Sequence, residues 1–116
     1  MTTASSADTT IVDTHQHFWD TVRLHYAWMG EEQSVLTRTY VPGDLEPVLE
    51  RNGVSSTIVV QAHSSLEEAR WLLGLAEAND FIAGVVAWVD LTSPEVGAEL
   101  DELSARPGLV GIRHQV

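Results

Sequence analysis

The sequence predicts an α/β fold built on a parallel sheet, and three observations carry that reading. Four short runs, residues 11–13, 57–61, 82–89 and 109–113, are continuously apolar rather than alternating, as expected of strands covered on both faces. Helix-start signals fall between the runs. The resulting order is strand, long loop, helix, strand, helix, strand, helix, strand, which repeats the βαβ unit whose right-handed crossovers set strands parallel.

The first run ends in Ile11-Val12-Asp13-Thr14-His15-Gln16-His17, which places two histidines at positions i and i+2 beside the end of a strand. Side chains two apart in a strand share a face, so the two imidazoles serve one site. After a loop over residues 17–43, far longer than the usual βα connection, Asp44 caps a helix over residues 45–51, with Pro47 in its first turn and Gly53 just past its end. Long loops of this kind commonly cover a site. Ser65-Leu66-Glu67-Glu68 reads as a capping box, leading into Ala69, Leu72, Leu73 and Ala76 on one helical face. Ser93-Pro94 reads as an N-cap followed by proline at the first helical position, with Val96, Leu100 and Leu103 as the buried stripe.

At 116 residues the chain is one small domain of ordinary composition, 44% hydrophobic and 20% charged. A formal charge of -11, from 17 acidic against 6 basic residues, argues against nucleic acid and anionic lipid as partners. With no cysteine, any metal falls to histidine and carboxylate, and the cytoplasm is the default location. Residues 1–10 are Ser/Thr/Ala-rich without a basic start or an apolar block, so they read as a disordered tail rather than a signal or anchor, with the folded domain over residues 11–116. No run approaches the length needed to span a bilayer.

Conspicuous groups gather at the carboxyl ends of the runs: His15 and His17, Gln61 and His63, Trp88 and Asp90, then Arg113, His114 and Gln115. In parallel α/β proteins that rim is where ligands bind. A guanidinium there suits a substrate carboxylate or a developing oxyanion, and an indole gives a flat wall to a ring. His63 and His114 read as loop residues, and His25 is assigned nothing. Asp13 either orients a histidine or bonds to backbone below it. Trp19, Trp28, Trp71 and Trp88 divide between packing and pocket, with Trp71 read as packing. Glu67, Glu68, Glu99 and Asp101 read as a solvated helix face.

Residues 11–20 together with Val59-Val60-Gln61-Ala62, residues 81–91 and Leu109-Val110-Gly111-Ile112-Arg113-His114-Gln115 resemble the amino-terminal portion of amidohydrolase-related proteins. The nearest branch is that of sugar-lactone and pyrone-dicarboxylate lactonases, similar to L-fuconolactonase. The resemblance implies the amino-terminal half of a (β/α)8 TIM barrel, four parallel strands with intervening helices, acting in hydrolysis of a sugar lactone or related cyclic ester. It implies that His15 and His17 are catalytic, either holding a divalent metal such as zinc or polarising the lactone carbonyl without metal. It places Gln61, Trp88 and Arg113 around a small-molecule substrate; Tyr26 and Trp28, by their position in the long loop, are expected to close over its ring. Later-strand histidines and the general-base aspartate of the family have no counterpart here, so a complete enzyme is not expected from this chain. Rival readings are a metal-dependent decarboxylase of the same superfamily and a catalytically silent assembly or binding unit, self-associating through exposed sheet edges.

Overall fold

A computed structural model describes residues 10–29 and 35–115. Most of the expected tail, residues 1–9, therefore lies outside the described residues. Four strands form a single sheet in the order β1 (Val12–Gln16), β2 (Ser56–Val60), β3 (Ile82–Ala87), β4 (Leu109–Ile112), every neighbouring pair parallel. Between them stand α1 (Pro42–Arg51), α2 (Leu66–Ala78) and α3 (Val96–Ser104), with a short 3-10 turn at Ala27–Met29 in the long loop. Each of the four apolar runs contributes a strand and each of the three expected helices is present, in the expected order.

The core lies between the sheet and its helices. Val59, Val85, Ala87 and Val89 pack against Ala69, Leu72 and Leu73 of α2 and Leu103 of α3, all of them buried. Each buried leucine contributes roughly 1.5–3 kcal/mol of transfer free energy. On the sheet itself Gly84 is required by close approach, since a Cβ there would stand 2.7 Å from Val110 Cγ1 and 3.3 Å from Ile58 Cδ1. Gly53, at φ 68, takes the left-handed turn after α1 that glycine accepts without strain.

Two helix starts differ from expectation. α1 begins at Pro42 rather than at Leu45, because proline is preset for the first helical position and its missing N–H costs nothing there. Asp44 becomes the third helical residue, and its carboxylate reaches back to accept the Val41 N–H at 2.9 Å. That shift carries Pro47 into the second turn. α3 begins at Val96, and Ser93 bonds locally instead: its hydroxyl accepts the Glu95 N–H at 3.0 Å in a turn ahead of the helix.

The long loop is tied at its base. Trp19 and Tyr40 exchange backbone hydrogen bonds of 3.1 and 2.9 Å, which close the loop onto the end of β1. Within it Trp19, Leu24 and Tyr26 form a second apolar cluster, joined by Met29, Tyr40 and Ala62. That cluster sits over the carboxyl ends of β1 and β2, where the site is built.

Candidate active site

His15 ends up near the tip of β1 and His17 just beyond it, their rings 5.1 Å apart and edge to face. The next aromatic residue on that side, Trp19, lies stacked at 6.3 Å from His17. His17 Nδ1 lies 2.8 Å from the Val60 carbonyl oxygen. A carbonyl only accepts, so Nδ1 carries the proton and Nε2 of the neutral ring holds a free lone pair. Burial lowers the His17 pKa below 6.5; the Val60 bond opposes this, while His15 and Arg113 add to it. Asp13 does not touch either ring in this arrangement, and its carboxylate accepts the His15 backbone N–H at 3.1 Å.

Arg113 follows β4 and lies across the sheet from β1. Its Nε donates to Gln61 Oε1 at 2.7 Å and its Nη2 donates to the Gln61 carbonyl at 2.9 Å. This fork fixes the guanidinium in one plane and leaves Nη1 for a ligand. Gln61 is only 1% exposed, and its amide nitrogen donates to the His63 carbonyl at 3.3 Å. A cavity of about 350 Å³ then collects His17, Trp19, Trp28, Ala62, Arg113 and Gln115. Its volume lies at the small end of the range for ligand pockets, as suits a single ring. A second hollow of about 480 Å³ shares His17 and Trp19 but is otherwise lined by loop and α1 residues such as Leu36, Arg38 and Leu45. The smaller cavity is the candidate site, because of the two it is the one that brings His17 together with the Arg113 guanidinium at the strand ends.

Of the residues singled out from sequence, His17 and Arg113 meet in this cavity and Gln61 stands directly behind it. His15 is exposed beside His17 and does not line the cavity. Trp88 is half-buried against the His114 ring at 5.9 Å and does not line it either. His114 Nδ1 accepts the Leu91 N–H at 3.0 Å, and His63 Nδ1 lies 2.8 Å from Ser65 Oγ, so both of these histidines pin loops as expected. From the long loop Trp28 reaches the cavity, its Nε1 donating to the Ala62 carbonyl at 2.9 Å. Tyr26 is buried behind it.

Glu68 overturns the reading of a solvated helix face at that position. It is 0% exposed, whereas Glu67 and Asp101 are exposed as expected. The Ser65 half of the capping box holds, with Ser65 Oγ accepting the Glu68 N–H at 3.1 Å. The glutamate half does not return to Ser65. Instead the Glu68 carboxylate accepts the N–H groups of Ala62 at 3.1 Å and His63 at 3.0 Å. The physical reason is competition: the strand-to-helix loop leaves two buried N–H donors that no carbonyl reaches. Burial pushes the Glu68 pKa up to about 7, against the opposing effects of the two backbone bonds, Tyr26 and Arg113.

Among the described residues no group of three or more histidines and carboxylates is placed to hold a metal ion. No helix among them is long and apolar enough to cross a membrane. What His15 and His17 offer is two imidazoles side by side, the Nδ1–H of His17 held by a backbone carbonyl in the way that orients metal-binding histidines.

Comparison with known proteins follows the same lines. Residues 12–116 match the amidohydrolase family. An L-fucono-1,5-lactonase from Burkholderia ambifaria is 40% identical over 102 residues, covering 88% of this chain and 35% of that protein. The corresponding enzyme from Burkholderia multivorans is 37% identical over 90% of this chain and 35% of its own length. A crystal structure of an amidohydrolase from Burkholderia multivorans with bound zinc superposes with a TM-score of 0.83 at 36% identity, covering 92% of this chain and 37% of that one. The chain thus spans about a third of the length of the relatives it matches.

Proposed function

The chain belongs to the amidohydrolase family, its four parallel strands and intervening helices corresponding to the amino-terminal half of a (β/α)8 barrel, and on that footing we propose that it supplies the carbonyl-binding half of a sugar-lactone hydrolase site. One observation carries the reading: a neutral imidazole and a cation fixed by two hydrogen bonds face one aromatic-walled cavity. Opening a lactone needs water to attack the ring carbonyl, negative charge to be stabilised on its oxygen, and the ring C–O bond to break, giving a hydroxy acid.

Arg113 supplies the donor for the developing oxyanion and, after ring opening, for the product carboxylate. His17 cannot donate in its neutral form, since its one proton is spent on Val60. Its Nε2 lone pair suits accepting a proton from the attacking water or coordinating a cation. A divalent ion such as zinc, when bound, would be held by His15 and His17 and would polarise the carbonyl or the water. Trp19 and Trp28 stack on the sugar ring, and Gln61 keeps the guanidinium in plane.

Two tryptophans in the wall make binding directly readable. Titration of the chain with L-fuconate, the ring-opened acid of the lactone used by the similar enzymes, is expected to quench tryptophan fluorescence saturably. The effect is expected to disappear in Arg113→Met and to weaken in His17→Gln. An unsaturable response in the wild-type chain, for L-fuconate and for other aldonates alike, would overturn the assignment.

A further inference from the structure

We propose that Glu68 is a positioning residue for this cavity: its carboxylate clasps the β2–α2 loop and, through the Ala62 carbonyl of that loop, sets the Trp28 wall that faces the substrate. The proposal rests on the lactonase reading for its substrate, but its geometry stands independently. Glu68 lies in the first turn of α2, wholly buried. From there it accepts the Ala62 and His63 N–H groups. Ala62 passes the constraint outward, because its carbonyl holds the Trp28 indole. Ala62 and Trp28 are both cavity wall.

A carboxylate is a specific choice for this position. Ionised, it is acceptor-only and satisfies both N–H donors at once. Protonated, it keeps acceptor capacity but loses the negative charge, so its bonds to the two N–H groups weaken. The protonated state is within reach near neutral pH, since burial holds the proton on the acid up to about 7. The ionisable groups around it are Tyr26 and Asp20 from the long loop, His63 from its own loop and Arg113 beyond β4. His63 also meets the Tyr26 ring edge-on at 5.4 Å, so it must be separated from Glu68 in any titration. The clasp is therefore closed in alkaline solution and slackened in acid, and the Trp28 wall follows.

The test is an NMR titration of the intact chain with the Glu68 side-chain carboxyl carbon and the Trp28 indole nitrogen both labelled. The Trp28 resonance is expected to move with the Glu68 midpoint, to lose that inflection in Glu68→Gln, and to keep it in His63→Gln. L-fuconate affinity in the wild type is expected to change by about fivefold or more across that midpoint, over and above the change seen in Glu68→Gln. A Trp28 resonance that ignores the Glu68 midpoint in the wild type overturns the proposal without recourse to any variant, and so does an unaltered inflection in Glu68→Gln. If the wild type binds no aldonate at any pH, the lactonase reading falls while the Trp28 resonance still decides the clasp.

Discussion

Replacing Glu68 by glutamine is expected to abolish a pH-dependent destabilisation whose size follows from the burial of the carboxyl. An unfolded glutamate gives up its proton near 4.5, while in the folded chain Glu68 keeps it to about 7. Between those values the native state holds a proton that the unfolded state lacks, so stability falls by about 1.4 kcal/mol for each pH unit of increase. The sign is that of a raised acid: the stabilising contribution is whole below 4.5 and is lost as pH climbs through about 7. The full window is worth about 3 kcal/mol, of which about 2–3 kcal/mol falls between pH 5 and 8. Glutamine keeps an oxygen for the Ala62 and His63 N–H groups and never ionises, so the variant lacks this slope. The assay is urea denaturation of both proteins at several pH values across that range, with the difference in unfolding free energy plotted against pH so that other titrating groups cancel. The variant is expected to gain on the wild type steadily toward alkaline pH. A difference flat to within about 0.5 kcal/mol would refute the argument, since it would mean that the buried carboxyl ionises at its ordinary value.

Arg113→Lys keeps the charge but cannot span both Gln61 acceptors, so a loss of about 1–3 kcal/mol in urea midpoint analysis is expected together with weakened L-fuconate binding; unchanged stability would show that the fork is not formed. In the metal-free protein the His17 ring is expected to titrate below 6.5, because burial disfavours its cation. Its contribution to stability is present above 6.5 and declines as pH falls, and a ring-proton NMR midpoint at or above that value would contradict the geometry. Gly84→Ala drives a methyl to within 2.7 Å of Val110 Cγ1 and is expected to cost about 1–2 kcal/mol, most of it recovered by Val110→Ala in the same chain. Additive losses in that double variant would place Val110 away from Gly84.

The architecture was legible because strands buried on both faces leave continuous apolar runs, and each of the four runs proved to be a strand of the parallel sheet. The helix starts were legible only to within a few residues. Asp44 and Pro42 both favour a helix start, and the competition between a capping side chain and a preset proline was settled by Pro42 taking the first helical position. At the rim, strand ends fix which residues arrive but not how they divide the work. Gln61 and Arg113 lie 52 positions apart, and nothing local announces that the amide oxygen of one holds the guanidinium of the other. The same gap concealed Glu68. Its place in Ser65-x-x-Glu68 signalled a cap, and the Ser65 half behaved as such, but the pattern says nothing about whether unpaired N–H donors lie closer than the expected one. Ala62 and His63 do lie closer, since the chain leaves β2 and turns into α2 across too few residues to satisfy its own amides. A first-turn glutamate after so short a connection is therefore better read as bound to the loop than as solvated, because the loop's donors are buried with it and water is no longer the competing partner. That inference needs only the loop length and the glutamate's position, and both stand in the sequence.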